Sequence, residues 1–378
     1  MVQLLEGIKE VLASRRLLRL NLGLWAVVTF GSIFYLAPGP DDNFYVTEGL
    51  GLVYFHNVGK LAFDDFFVSF TGFPGYAVLN GAFWKVWLAA GLPLNVYTYK
   101  VFHVIVTYLL VFVTAQFVDR LMKPTARTRH LPTNMMLILL GITPFAMDIL
   151  YPRPEAAGLL ALAVGLLAYQ RAWRADLAPT GLVAVSGFCL GVAATHHPGL
   201  GITGLVMGTV VLFDLLRRRR WLASAVSGIA AAAPVLLMAS WFLASAPESL
   251  EILMSHAEGR EPKFGYAVVV MLKYAMYQGA GSVAKKIYYA ILYLSLFLVF
   301  ISVIFLTIFK AIDKSNVFFE PVNIAVIGLF VGGLVYLLQS GSGRAQLFTV
   351  VAYATVCFLA LLLSISAKNV CAGEREDT

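Results

Sequence analysis

Four short polar motifs interrupt an otherwise apolar chain, and each holds side chains suited to catalysis or ligand binding. The first holds two adjacent acids, the second an arginine and an acid, the third two histidines, and the fourth an arginine among glycines and serines. Their key residues are Asp41 and Asp42, Arg153 and Glu155, His196 and His197, and Arg344. Carboxylates can accept a proton from a hydroxyl group, and cationic side chains can bind a phosphate.

The first motif has the pattern of a helix beginning. Pro40 directly precedes the two acids, and proline followed by acidic residues is typical of a helix N-terminus. A helix that starts there would place Asp41, Tyr45 and Glu48 on one face, because they are four and three residues apart. We expect a carboxylate on this face to accept a proton from a substrate hydroxyl. The alternative is a helix cap with a solvated acidic turn.

The other three motifs occupy tight turns. Prolines flank Arg153 and stiffen its turn, so that Arg153 and Glu155 are held in place; the alternative is an Arg–Glu pair that closes a helix hairpin. Adjacent histidines cannot both point inward from one helix face, so a single imidazole from His196 or His197 is expected to donate to a phosphate. Arg344 follows glycines and serines that allow the backbone to approach an anion. The alternative for the two histidines is an ordinary polar turn, and the alternative for Arg344 is a flexible turn.

The composition excludes most soluble proteins. The 378 residues are 60% hydrophobic and 13% charged, with a mean hydropathy of +0.80, whereas soluble domains are about half apolar and a quarter charged. A disordered chain needs the opposite balance. Three cysteines at unrelated positions predict neither a disulfide framework nor a thiolate metal site, and no phosphate-binding glycine loop occurs. The chain is therefore predicted to be an all-α, polytopic membrane protein.

About ten apolar stretches are long enough to cross a bilayer, which takes about 20 residues. The predicted spans are 20–37, 97–118, 132–148, 154–170, 178–195, 199–215, 221–246, 286–309, 320–338 and 345–366. The first follows several arginines and is interpreted as a signal anchor with its N-terminus inside. Long outside loops are then expected at about 38–96 and 247–285.

One further apolar stretch, 75–91, is predicted to lie along the outer interface. Counting it as a span would place the basic loop 120–129 outside, against the usual excess of lysine and arginine on the inner side. We therefore predict an amphipathic helix with Trp84, Lys85 and Trp87 at the depth of the lipid headgroups.

This topology explains the net charge of +7 and locates the polar motifs. Every short inside loop is basic, so the positive charge indicates orientation in the membrane and not a nucleic-acid partner. The four motifs all fall at the outer ends of predicted spans. Charged residues are essentially missing from the middle of the spans, and this argues against an ion-coupled transporter, which needs ionisable groups at the midplane.

The order of these motifs resembles the polytopic glycosyltransferases of the GT-C fold, which use lipid-linked sugars. The nearest likeness is to the bacterial branch with aminoarabinose transferase and relatives of protein O-mannosyltransferase. The motifs that carry the resemblance are Pro40-Asp41-Asp42 with Tyr45, an interfacial helix from Pro74, Arg153-Pro154-Glu155, the glycine and Thr-His stretch from Gly187 to Gly199, and Arg344. The family often has Lys or His where this chain has Phe73, and Lys85 is the available substitute.

The resemblance implies an inverting transfer of one sugar from a polyprenyl-phosphate carrier to a hydroxyl of a lipid, glycan or protein acceptor at the outer face. It implies that Asp41, with Asp42 as the runner-up, is the catalytic base. Arg344 and, less directly, His196, His197 or Arg153 would hold the phosphate. Some relatives bind a divalent metal near the first-loop acid, and two adjacent aspartates leave a metal open here.

The predicted organisation is a single GT-C-like membrane domain over residues 1–370 and a cytoplasmic tail over 371–378. The expected location is the inner membrane, with both termini in the cytoplasm. Two other functions remain open from the sequence. One is a non-catalytic lipid or polysaccharide carrier or export component, and the other is a polysaccharide polymerase or ligase.

Overall fold

The computed structural model describes residues 2–35, 74–95, 97–121, 129–142, 150, 154–174, 180–196 and 198–245. Within them the regular structure is helical, without strands, which confirms the predicted all-α class for this part of the chain. The α-helices are α1 (Val2–Leu12), α2 (Arg15–Tyr35), α3 (Pro74–Ala89), α4 (Val101–Leu121), α5 (Leu131–Ile142), α6 (Pro154–Arg174), α7 (Thr180–Ala194), α8 (Pro198–Arg217) and α9 (Trp221–Ser245). A short 3-10 turn, Thr98–Lys100, leads into α4.

Four of these helices are long and apolar enough to cross a membrane. The stretches that meet both conditions are Arg15–Phe34, Thr98–Arg120, Leu200–Arg217 and Trp221–Ser240. They coincide with the predicted spans 20–37, 97–118, 199–215 and 221–246. Helices α5, α6 and α7 cover described parts of three more predicted spans. The remaining three, from residue 286 onward, lie outside the described residues.

Contacts divide the chain into two compact units. The first contains the described residues within Met1–Leu18 and Val118–Phe145. Here α1 packs on α5, and the Asn134 side-chain amide donates to the Leu12 carbonyl at 2.7 Å and to the Ser14 carbonyl at 3.1 Å. The Asp119 carboxylate bonds to His130 at 2.5 Å and to Arg129 at 3.2 Å. These contacts hold Arg129 and His130, which precede α5, against the end of α4.

The second unit contains the described residues within Arg19–Phe117 and Ala146–Gly259, and α7 lies at its centre. Helices α6, α8 and α9 all pack against α7. The approach is close because small residues line the contacts: Gly165 of α6 and Gly204 of α8 face the α7 backbone, while Gly187 and Gly191 of α7 face α9. Such small-residue contacts are the usual way for helices to pack where burial of apolar surface gives little driving force.

The stretch predicted as an interfacial helix does form a helix, α3, but one of its aromatic side chains has different surroundings from those predicted. Trp84 is fully buried and packs against Phe83 and Tyr99, so it contacts protein and not lipid headgroups. Trp87 is half-buried and Lys85 is exposed. The aromatic residues of α3 are therefore partly an internal anchor, which hydropathy alone does not reveal.

A hydrogen-bonded corner joins α3 to α4. The Asn95 side-chain oxygen accepts from the backbone amides of Tyr97 and Thr98, which is the pattern of a helix cap. The Thr98 hydroxyl and the Trp87 indole both donate to the Pro93 carbonyl, at 2.8 and 3.1 Å. This corner fixes the start of α4 relative to α3.

Candidate functional site

The turn between α7 and α8 is the point where several helices meet. Thr195 in this turn is buried. Its carbonyl accepts a hydrogen bond at 3.0 Å from the amide of Gly75, at the beginning of α3. A Cβ added at Gly75 would lie 2.1 Å from the Thr195 hydroxyl oxygen. Glycine is therefore required at residue 75 for α3 to reach this turn.

Helix α6 reaches the same turn through another glycine. A Cβ at Gly158 would lie 3.1 Å from the His196 Cβ and 2.4 Å from a methyl group of Leu200, near the start of α8. Glu155 lies in the first turn of α6, three residues before Gly158 and so on the same side of the helix. The predicted residues Glu155 and His196 are thus brought to one region.

The first turn of α4 joins them through an aromatic contact. The Phe102 ring packs on Tyr76 of α3 with 5.9 Å between ring centroids. Both rings share a buried cluster with Ala156 and Ala157 from the first turn of α6. The beginnings of α3, α6 and α8 therefore meet around the Thr195–His196 turn, and Phe102 of α4 packs beside them against α3 and α6.

This convergence has an electrostatic consequence. The N-terminus of an α-helix carries the equivalent of about half a positive charge and presents unpaired amides. All three helices that begin at the turn start with a proline, Pro74, Pro154 or Pro198, which suits the first helical position because its φ is already helical. Such a convergence favours a negatively charged ligand.

His196 is fully buried, and its hydrogen bonds determine which ring nitrogen holds the proton. Nδ1 lies 2.8 Å from the Val192 carbonyl oxygen and 3.3 Å from the Thr195 hydroxyl. Because a carbonyl can only accept, Nδ1 is the protonated nitrogen, and Nε2 is an acceptor. Nε2 is buried and has no hydrogen-bond partner among the described residues. In this arrangement the imidazole is better suited to a substrate hydroxyl than to the phosphate that the sequence predicted for it.

The same Val192 carbonyl also closes the end of α7. It accepts the Thr195 hydroxyl at 2.7 Å and the Thr195 amide at 3.0 Å, in addition to the imidazole. The Ala193 carbonyl accepts the His196 amide at 3.2 Å. The last carbonyl groups of α7 thus accept hydrogen bonds from the two residues that follow the helix.

Burial lowers the pKa of His196 from its ordinary 6.5 to about 4, although the bond to the Val192 carbonyl acts in the opposite direction. The imidazole is therefore neutral at pH 7 in the folded protein. In the unfolded chain it binds a proton near pH 6.5. Below pH 6.5 the unfolded chain binds a proton that the folded protein does not bind. The free energy of unfolding therefore has its full value above pH 6.5 and falls as the pH decreases towards 4.

We expect the free energy of unfolding to fall by about 2 kcal/mol between pH 7 and pH 5 because of His196 alone. The change to examine is His196→Gln, which keeps a polar side chain but cannot take up a proton. Unfolding in mixed micelles, followed by circular dichroism at both pH values, should show a smaller acid-induced loss in His196→Gln. The same substitution at His197 serves as the control. Equal acid sensitivity of His196→Gln and the unsubstituted protein would contradict a buried neutral imidazole.

Sequence reasoning missed two ionisable residues near this region. Lys100 and His103 are each 1% exposed and flank Phe102 at the start of α4. The Lys100 ammonium lies 5.5 Å from the centre of the Tyr99 ring, and His103 Nε2 lies 3.1 Å from the Thr107 hydroxyl. The sequence did contain a signal for both residues, because each lies at the start of an apolar run, where ionisable groups are costly.

The other predicted site residues are placed as follows. Lys85 is exposed and lies about 15 Å further along α3 than Gly75, so the structure does not bring it to the turn. Six predicted residues lie outside the described residues: Asp41, Asp42, Tyr45, Arg153, His197 and Arg344. Within the described part of the chain, no group of three His, Cys, Asp or Glu side chains is arranged to hold a metal ion.

Comparison with known proteins gives no guide to the ligand of this site: no family model matches the chain, and no curated protein matches it either.

Proposed function

We propose that the chain is an inverting glycosyltransferase of the inner membrane that moves a sugar from a polyprenyl-phosphate carrier to an acceptor hydroxyl at the outer face. The observation that supports this most is the meeting of the N-termini of α3, α6 and α8 around the buried His196. Such a site favours an anion, and the carrier is anionic at the phosphate that joins it to the sugar.

The chemistry needs few groups because the donor contains its own leaving group. The acceptor oxygen attacks the anomeric carbon, the bond from that carbon to the phosphate oxygen breaks, and polyprenyl phosphate departs with the bonding electrons. Asp41 accepts the acceptor's proton, with Asp42 as the alternative base. A single in-line attack inverts the anomeric centre. Negative charge grows on the departing phosphate, and preorganised donors that stabilise it lower the barrier.

We assign the phosphate to Arg344 and the helix N-termini, with Arg153 and His197 as further donors. A guanidinium group suits this role because it can make two parallel hydrogen bonds to phosphate oxygens. His196 is assigned to a substrate hydroxyl because its Nε2 is an acceptor, and Glu155 and Tyr45 are assigned to substrate positioning. In this proposal the phosphate and the hydroxyl are held by different groups.

The proposal is tested with the full-length protein in vesicles and a panel of radiolabelled polyprenyl-phosphate sugars. We expect label to leave the lipid fraction and to appear in an acceptor when the donor is correct. Arg344→Ala should raise the apparent KM for the donor by at least about tenfold, because it removes a charged hydrogen bond. Arg344→Lys should recover part of that loss. Label that crosses the membrane while still attached to the lipid would instead identify a carrier.

A further inference from the structure

A second charged feature lies at the far end of α8, in the turn that leads into α9. Helix α8 has 20 residues and is about 30 Å long, so this turn is distant from His196. The turn consists of four consecutive arginines, Arg217 to Arg220. Trp221 and Leu222 follow at once and are 68% and 73% exposed. Arginines beside exposed Trp and Leu are typical of a surface at the boundary between lipid headgroups and acyl chains.

A buried carboxylate orders part of this turn. Asp214 is 1% exposed and accepts a hydrogen bond from the Tyr169 hydroxyl at 2.6 Å. It also binds the Arg218 guanidinium at 2.9 Å and that of Arg217 at 3.4 Å. Asp214 supplies one carboxylate to a turn that contains four guanidinium groups. Arg217 and Arg218 thus anchor the turn to the helices.

One residue of the turn has an unfavourable backbone conformation. The amides of Arg219 and Arg220 donate to the carbonyls of Leu216 and Leu215, both at 2.9 Å, which is the Schellman pattern of a helix end. This pattern requires a left-handed residue, and Arg219 has a φ of 56°. At the end of α3 the same pattern places Gly91 there, with a φ of 72°.

Glycine is the residue that adopts this conformation without strain, whereas an arginine in it destabilises the fold. Residues that keep such strained backbone are concentrated at functional sites. The exposed guanidinium of Arg219 is therefore the feature of the turn that a purely structural role does not explain.

We propose that the turn from Arg217 to Arg220 binds the phosphate headgroups of anionic phospholipids, with Arg219 as the principal contact. Trp221 and Leu222 lie in the adjoining interface and keep the turn at headgroup depth. The observations that carry this are the charge of the turn, the exposed apolar residues beside it and the left-handed arginine. The proposal does not depend on the sugar-transfer function.

The test uses the full-length protein reconstituted in nanodiscs of phosphatidylcholine with a minor share of phosphatidylglycerol. The measurement is the number of phosphatidylglycerol molecules retained after transfer to detergent, by native mass spectrometry. The double variant Arg219→Gln with Arg220→Gln is expected to retain fewer phosphatidylglycerol molecules. Each arginine removed should lower the affinity for this lipid by about fivefold. The matched control, Arg15→Gln with Arg16→Gln, removes the same charge from exposed arginines of α2. Equal losses in both double variants would overturn the proposal, because a general charge effect acts on both.

A second variant separates ligand binding from structure. Arg219→Gly relieves the backbone strain, so its melting temperature should rise while its retention of phosphatidylglycerol falls. A higher melting temperature with unchanged retention would overturn the role of Arg219. Excess inorganic phosphate should leave the retained lipid in place; if it displaces the lipid, the turn binds free phosphate and the assignment to a membrane lipid is wrong.

Discussion

Replacement of Gly191 with alanine is expected to lower the free energy of unfolding by about 3 kcal/mol. The added Cβ would lie 2.1 Å from the Ala231 carbonyl oxygen and 2.7 Å from the Pro234 ring. These are backbone and ring atoms, so α7 and α9 would have to separate. The two helices are equally close one turn earlier, where a Cβ at Gly187 would lie 2.2 Å from the Ser227 carbonyl oxygen.

The matched control is Gly181→Ala in the same helix. No atom lies within 4 Å of a Cβ built at Gly181, so that variant should be as stable as the unsubstituted protein, or more stable by up to about 1 kcal/mol from helix propensity. Unfolding of both variants in mixed micelles, followed by circular dichroism, checks the difference. Equal stability of the two variants would contradict the close contact of α7 with α9. Because Gly191 lies one helical turn before Thr195, its variant should also lose activity.

Asp41→Asn is expected to reduce the rate of sugar transfer by between about a hundredfold and ten-thousandfold, the range for loss of a general base. Asparagine has nearly the same size as aspartate but cannot take the proton from the acceptor hydroxyl. The loss should appear in kcat, while the KM for the donor changes little, because the phosphate is assigned to other residues. Initial rates at several donor concentrations measure the two quantities separately.

The comparison variant for this prediction is Asp42→Asn, which removes the neighbouring charge. We expect a much smaller loss of rate from it and the same melting temperature for both variants, since either change should leave membrane insertion intact. The reverse order of the two effects would assign the base to Asp42. A full rate in Asp41→Asn and in the double variant would remove the carboxylate mechanism altogether.

Hydropathy and turn signals were sufficient to predict much of the helical framework. The spans at 20–37, 97–118, 199–215 and 221–246 are helices of the required length and apolarity, and the helix over 75–91 is present as α3. These elements follow from local patterns: apolar runs, proline at helix starts, and basic residues in the short loops between apolar runs. Glu155 and His196 were also chosen from such patterns, at turns where ionisable groups have no other evident role.

The features that the sequence did not reveal are those that depend on which helices pack against each other. Trp84 has the pattern of an interfacial residue, and only the packing of α3 on Tyr99 shows that it is buried. The partnership of Asp214 with Tyr169 joins residues that are 45 positions apart in the chain. Small residues allow several helix pairings, so periodicity cannot select one. For the same reason the acceptor role of His196 Nε2 could not be foreseen, because it depends on the Val192 carbonyl.

The closed end of α7 has a consequence for ligand selectivity. The carbonyls of Val192, Ala193 and Thr195 already accept hydrogen bonds from protein donors, so they have little capacity left for a visiting ammonium or amide group. The negative pole of α7 is thus masked, whereas the positive poles of α3, α6 and α8 come together beside it. We therefore expect this turn to favour oxyanions over cations.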